Sequence, residues 1–248
     1  MGKPAANSNA KAQRLRLVAH SPLLVGTIVT GRGLERITRT AARSSGHDLA
    51  EVRVDALLKE GVPLDRIEKA LRRRVLPVLL TCRIPQEGGL YPWSPGERIT
   101  VLQQLLPWTD AIDIELASLK ELHPLVAAAR LAKKKVVLSA HAIDKPVPPA
   151  TLKKWVAALY SAQPDIAKIA ARINSRADLQ ALARILLDRP PGPHAHWAVM
   201  GLGPHGALSR HIFSALGSAL LYGYLDEPAA PGQPSAFALD RFRTELPR

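Results

Sequence analysis

Cysteine is nearly absent from this chain: Cys82 stands alone among 248 residues, so no internal disulfide can form and nothing requires an oxidising compartment. Long apolar runs are missing too. The segment from Val75 to Leu80 is typical of the longest and falls far short of the ~20 residues that a membrane helix needs. The N-terminus has basic residues but no apolar stretch after them, which argues against a secretion signal and for the cytoplasm. Acidic residues are few beside the basic ones, 21 against 34, giving a formal charge of +13. Such a charge favours polyanionic partners in general. Aromatics make up only 4%, however, and none interleaves with Arg72-Arg73-Arg74 or Lys133-Lys134-Lys135 to stack on bases. Both clusters fall where helices should end ahead of strands, where cations complement the helix dipole. They read as solvated faces rather than a nucleic-acid site, and their field also suits a small anionic substrate.

What the chain does have is ordinary globular content, 47% hydrophobic, in a regular rhythm. Residues 1–20, with Lys3, Lys11, Arg14 and Arg16 and no acid before residue 17, read as a basic tail without structure of its own. From residue 21 to residue 248, short β-branched runs alternate with helical patterns. Strands are expected at Leu23–Val29, Ala50–Val54, Val75–Cys82, Ala111–Leu116, Lys135–Ser139, Asp165–Ala170, Ala195–Met200 and Ala219–Tyr224. The expected helices are Leu34–Ala42, Leu64–Arg74, Pro95–Leu106, Leu119–Lys133, Pro149–Ala162, one capped by Ser175 and running to Leu187, Ala207–Leu216, and Phe237–Leu246. Eight strands, each followed by a helix, fit a single α/β domain, a (β/α)8 TIM barrel. The competing doubly wound sheet lacks its glycine fingerprint, because Gly26, Gly31 and Gly33 are out of frame.

Lys168 is the singular residue of this pattern, a lysine inside the apolar run Asp165-Ile166-Ala167-Lys168-Ile169-Ala170. By itself it reads as a lysine snorkelling from a strand end. If both faces of the strand are covered, desolvation favours the neutral amine, a nucleophile for Schiff-base formation with a ketone or aldehyde. Barrel active sites lie at the carboxyl ends of the strands. Collecting the polar residues there adds Glu51, Arg53, Arg83, Glu87, Asp113, Glu115, His141 and Arg210. Nearby arginines would further favour the neutral amine, and His141 suits proton transfer in both directions. A metal is disfavoured, since clustered Cys/His spacing is absent and a pocket of cations repels another.

From Leu23 to Phe242 the chain resembles the type I 3-dehydroquinate dehydratases. The resemblance rests on six blocks in order: Glu51-Val52-Arg53-Val54-Asp55; Thr81-Cys82-Arg83 through Glu87-Gly88-Gly89; Asp113-Ile114-Glu115; Ser139-Ala140-His141; the Lys168 strand; and Met200-Gly201, Ser209-Arg210, Gly217-Ser218 and Pro231-Gly232-Gln233. It implies dehydration of 3-dehydroquinate to 3-dehydroshikimate, a step of the shikimate pathway, without metal or organic cofactor, in a homodimer. Lys168 would form the imine, His141 would move protons, and Glu87 would orient His141. Arg210 would grip the substrate carboxylate, while Glu51, Val52, Arg53, Arg83, Met200 and Gln233 would complete the substrate site. The chain departs from the family at Ala142-Ile143 after the histidine, at Ala229-Ala230 before the lid motif, at Gly26 with Thr27 beside it, and at Leu202. Two alternatives stay open at this point: another Schiff-base barrel lyase of aldolase type, and a degenerate barrel that binds a polyanion.

Overall fold

Period-2 alternation along each strand sends successive side chains to opposite faces, and here both faces find a core. The computed structural model describes Leu15 and residues 22–39, 46–188, 196–230 and 232–243. Among these residues eight strands form one parallel sheet: β1 (Leu23–Ile28), β2 (Leu49–Arg53), β3 (Val78–Thr81), β4 (Ala111–Glu115), β5 (Lys135–Ala142), β6 (Ile166–Arg172), β7 (His196–Leu202) and β8 (Leu220–Tyr224). Their order is β7-β6-β5-β4-β3-β2-β1-β8. Helices follow the strands as α1 (Gly31–Leu34), α2 (Val54–Lys59), α3 (Leu64–Arg72), α4 (Pro95–Leu105), α5 (His123–Leu131), α6 (Pro149–Ala162), α7 (Arg176–Leu187), α8 (Gly206–Ala215) and α9 (Ala236–Arg243). Ala219 N–H donates to the Trp197 carbonyl at 2.7 Å, and the Ser218 hydroxyl accepts from Val199 N–H at 3.0 Å. These contacts draw β7 and β8 together, so the sheet is a nearly closed (β/α)8 barrel.

Neighbouring residues of a strand serve different cores. Leu80, Ile114, Leu138, Ile169 and Val199 pack outward against the helices. Leu49, Leu79, Ala111, Val137, Ile166 and Leu220 point inward and fill the lower half of the barrel, with Leu15 packed against them. Each fully buried side chain of this size contributes roughly 1.5–3 kcal/mol by leaving water. The lower layer is a plug, which leaves only the upper half of the barrel for a site.

Element ends differ from expectation for local reasons. Strand β3 starts at Val78 rather than Val75 because Pro77 has no N–H for the ladder, while its carbonyl accepts from Ala50 N–H. Helix α5 starts at His123, with Pro124 in its first turn, because Leu116–Ser118 form a 3-10 turn instead. The expected helix from Leu34 is the short α1 followed by a 3-10 turn at Glu35–Thr38; its remainder, from residue 40, lies outside the described residues, as does the expected tail apart from Leu15. Strand β5 continues to Ala142, so His141 is a strand residue rather than the first residue of a loop. Ser175 caps α7 as expected, in a reciprocal capping box with Asp178.

The basic clusters are largely tied into the scaffold. Arg72 bonds Glu68 and lies 4.2 Å over the Trp108 ring, and Arg74 pairs with Asp110 at 3.0 Å. Lys134 donates to the Thr109 carbonyl at 2.5 Å, and Lys135 to Asp165 at 2.6 Å. No helix among the described residues is long and apolar enough to cross a membrane.

Candidate active site

Above the apolar plug the inward positions turn polar: Thr27, Glu51, Thr81, Asp113, Ser139 and Lys168, with Met200 and Tyr222 completing the ring. Register sets Lys168 beside Ser139 and Thr81 beside both Arg53 and Asp113. A cavity of about 110 Å³ opens at the carboxyl ends of the strands, lined by Thr27, Glu51, Arg53, Arg83, Glu87, His141, Lys168, Met200, Arg210, Tyr222 and Gln233 among others. Of the residues expected in the site, Val52, Asp113 and Glu115 are not among these; Asp113 and Glu115 are fully buried behind the wall. Alternation turns Val52 outward, where it is fully buried among core residues facing the helices. The Val52 side chain therefore has no contact with the cavity.

Lys168 is 3% exposed, so it does not snorkel. Its Nζ lies 2.9 Å from Asp113 Oδ2 and 3.6 Å from Glu51 Oε1, with the Tyr222 ring centroid at 4.3 Å. The direct neighbours of the amine are thus two carboxylates and an aromatic face, not the guanidinium groups foreseen from the strand ends. Burial alone would raise the pKa of Asp113, but Arg83 and Lys168 override it and hold the carboxyl well below the usual range. Asp113 is consequently a fixed negative charge and a poor proton acceptor.

Behind the lysine stands a closed array of ion pairs. Arg83 bonds Asp113 Oδ2, Glu115 Oε1 and Ser139 Oγ at 3.0, 3.0 and 2.9 Å, and Ser139 donates to Asp113 Oδ1 at 2.5 Å. Glu115 is shared with Arg98, which also donates to Ser118 Oγ and to the Cys82 carbonyl. Arg53 holds Asp55 through two bonds of 2.8 and 2.7 Å, the forked geometry that guanidinium makes with carboxylate. Removing one partner from such a buried pair costs about 3–5 kcal/mol, because it strands the other charge. With Asp113 and Glu115 each engaged by two cations, neither is left as a free ligand for a metal.

On the same side, Glu87 Oε2 meets His141 Nδ1 at 2.6 Å. The turn that presents Glu87 needs its two glycines: Gly88 is left-handed at φ 86°, and a Cβ on Gly89 would collide with the Arg83 carbonyl. Burial first, then the charges of Glu115 and Asp113 against the opposing Arg83, push the Glu87 carboxyl up to about 8. Burial, Arg83 and Lys168 push His141 well below 6.5. Near neutral pH the pair therefore carries one shared proton between Oε2 and Nδ1 and no net charge. His141 Nε2 is the nitrogen left for the cavity.

The opposite wall is built differently. Arg210, on α8, donates to the carbonyls of Tyr222, Gly201 and Gly206 at 3.0, 3.2 and 2.7 Å. No carboxylate pairs with it among the described residues, and burial alone lowers its pKa to about 10. Gln233 accepts from Ala229 N–H at 2.7 Å and donates to Thr27 Oγ1 at 3.2 Å, which ties Ala229 and Gln233 to β1. The departures noted in the sequence fall here and beside His141: Thr27, Ile143, Leu202, Ala229 and Ala230 all line the cavity.

Sequence reasoning missed three contributors, Arg98, Ser118 and Tyr222. Arg98 and Ser118 come from α4 and a 3-10 turn, away from any strand end, and no local pattern marks them. Asp55 continues the every-second-residue spacing of Glu51 and Arg53, but α2 begins at Val54 and its first turn uses Asp55 to clamp Arg53. Tyr222 had a usable signal, since alternation along Leu220-Leu221-Tyr222 puts it inward.

The sequence model of type I 3-dehydroquinases matches residues 26–245. A 3-dehydroquinate dehydratase of Methanothrix thermoacetophila is 32% identical over 225 residues, covering 89% of this chain and 90% of that protein. The solved 3-dehydroquinate dehydratase of Aquifex aeolicus superposes with a TM-score of 0.76 at 26% identity, covering 91% of this chain and 99% of that one. The type I enzyme of Clostridium difficile, solved with covalently modified comenic acid, gives 0.81 at 21% identity over 95% of this chain and 96% of its own; at that identity the likeness speaks for the fold. With the match running through the strands that carry the buried lysine, the histidine–glutamate pair and the unpaired arginine, the chain belongs to the type I 3-dehydroquinase family.

Proposed function

We propose that this chain dehydrates 3-dehydroquinate to 3-dehydroshikimate through an imine on Lys168, as a cytoplasmic homodimer serving the shikimate pathway. The observation that carries the reading is the buried Lys168 facing a cavity whose other wall holds Arg210 without an acidic partner among the described residues. An anionic ketone fits both: its carboxylate goes to the guanidinium and its C3 carbonyl to the amine.

In the first step Lys168 Nζ, having given up a proton, adds to C3, and the carbinolamine oxygen leaves as water. Asp113 is too weak a base to take the lysine proton, so the acceptor is Nε2 of the His141–Glu87 pair in the form that has lost one proton. The resulting iminium carries the same single positive charge as the ammonium it replaces. Asp113 and Glu51 thus stabilise it without rearrangement, the electrostatic preorganisation that makes such sites effective. His141 Nε2 then removes a proton from C2, and the electron pair moves to the imine nitrogen. The C1 hydroxyl leaves as water, taking a proton from His141 as the electrons return to form the C1–C2 double bond. Hydrolysis of the imine frees the product and Lys168. Glu87 keeps the imidazole oriented through Nδ1 and lets it exchange a proton without gaining net charge.

Incubating the purified chain with 3-dehydroquinate and following the ultraviolet absorbance of the conjugated product tests this. Turnover is the expected result; folded protein that leaves the substrate unchanged would contradict it. Gel filtration with light scattering checks the homodimer, which a monomeric mass would exclude.

A further inference from the structure

Tyr222 stands in the cavity wall and takes no part in the mechanism above. Its side chain is 4% exposed and lines the cavity, yet its hydroxyl has no hydrogen-bond partner among the described residues. A buried hydroxyl left without a partner is destabilising, so the resting fold gains nothing from this oxygen. The backbone carbonyl of Tyr222 accepts from Arg210 Nε at 3.0 Å, and its ring centroid lies 4.3 Å from Lys168 Nζ. Anything joined to that nitrogen is therefore adjacent to the phenol. Burial, with the charges of Glu51 and Asp113, pushes the phenol well above its usual pKa, so the oxygen keeps its hydrogen and can donate.

This inference rests on the imine reading of Lys168. Once C3 of the substrate is bonded to Nζ, the ring oxygen next to it is the C4 hydroxyl. A hydroxyl both accepts and donates, and the site offers one complement of each kind: the Glu51 carboxylate, 3.6 Å from Nζ, accepts only, and the Tyr222 O–H lacks an acceptor. We propose that Tyr222 is a specificity-determining residue whose hydroxyl donates to the C4 hydroxyl of the imine-bound substrate, while that hydroxyl donates to Glu51. The resting protein thus carries an unpartnered group that is satisfied only by a substrate oxygenated beside the imine carbon. Sites of this type discriminate strongly against an analogue lacking the oxygen.

The test compares wild type with Tyr222→Phe, which removes one oxygen and keeps the ring over Nζ. The readouts are kcat and KM for 3-dehydroquinate and for its 4-deoxy analogue, the melting temperature of the ligand-free protein, and borohydride trapping on Lys168. For the variant, kcat/KM toward 3-dehydroquinate should fall about three- to ten-fold, the size of one neutral hydrogen bond, mainly through KM. The 4-deoxy analogue should be handled equally well by both proteins, and the variant should melt at the same temperature or higher. Unchanged kinetics with 3-dehydroquinate, equal losses on both substrates, or a variant that melts lower or fails to fold would each overturn the assignment. If wild type gives neither turnover nor adduct, the lysine reading itself falls and takes this one with it; a working wild type with an indifferent variant sinks only the role of the hydroxyl.

Discussion

The two walls of the cavity treat buried charge in opposite ways. Toward β2–β5, Arg53, Arg83 and Arg98 each meet a carboxylate within the protein, and Lys168 meets two. Toward β7 and β8, Arg210 is as deeply buried, 3% exposed, but is held only by backbone carbonyls. Paired cations belong to the architecture, because breaking a pair strands a charge. An unpaired one is left for a ligand. The difference separates residues that hold the site together from residues that wait for substrate.

Lys168 belongs to both categories, and its loss should have the largest effect: Lys168→Ala should abolish turnover, measured as product absorbance, while leaving Arg83 on Asp113. Next comes a pair of substitutions that sets the walls against each other. Arg210→Leu should lower kcat/KM about 100-fold or more, since a carboxylate bound by guanidinium makes strong charge-assisted bonds, yet urea unfolding should find the protein equally or more stable. Glu115→Ala should instead cost about 3–5 kcal/mol of stability by stranding Arg83 and Arg98. If Arg210→Leu is the less stable of the two, the contrast between the walls is wrong.

A smaller effect is expected on pH dependence. Below about 8 the Glu87–His141 pair holds its shared proton and Nε2 keeps its own hydrogen; loss of one proton leaves Nε2 free as the base for C2. The kcat/KM profile should accordingly rise through a pH near 8. In Glu87→Gln the remaining ionisation is that of His141, lowered by burial, Arg83 and Lys168, so the rising limb should move below pH 6.5. A limb that stays put would show that Glu87 does not set it. The smallest change is at the rim. Gln233→Ala unties Ala229 from Thr27 and should raise KM about five-fold, the scale of one or two neutral hydrogen bonds, with kcat little changed.

Much of this site could be read from the sequence because strands write their inward face in every second residue. Glu51 with Arg53, Asp113 with Glu115, and Lys168 within an apolar run all announced themselves in that way. The same rule turns the Val52 side chain outward, so its place in the motif owes nothing to parity. Asp55 departs from the rule for a complementary reason: alternation stops where α2 begins, and a helical first turn re-aims the carboxylate at Arg53. Arg98 and Ser118 were illegible because Arg98, on α4, reaches Glu115 and the Ser118 hydroxyl only through tertiary packing. The position of Lys168 among carboxylates also depends on three strands meeting, which no single segment records. The eight-strand rhythm was legible, whereas the strand ends were not, as Pro77 and the long β5 show.

The central claim is that Lys168 is the covalent residue, and the most direct measurement is borohydride reduction in the presence of 3-dehydroquinate, followed by intact mass and peptide mapping. The account predicts one adduct per chain, on Lys168, which is absent in Lys168→Ala and reduced but still present in His141→Ala. An adduct on another lysine, or turnover without any trapped adduct, would contradict it.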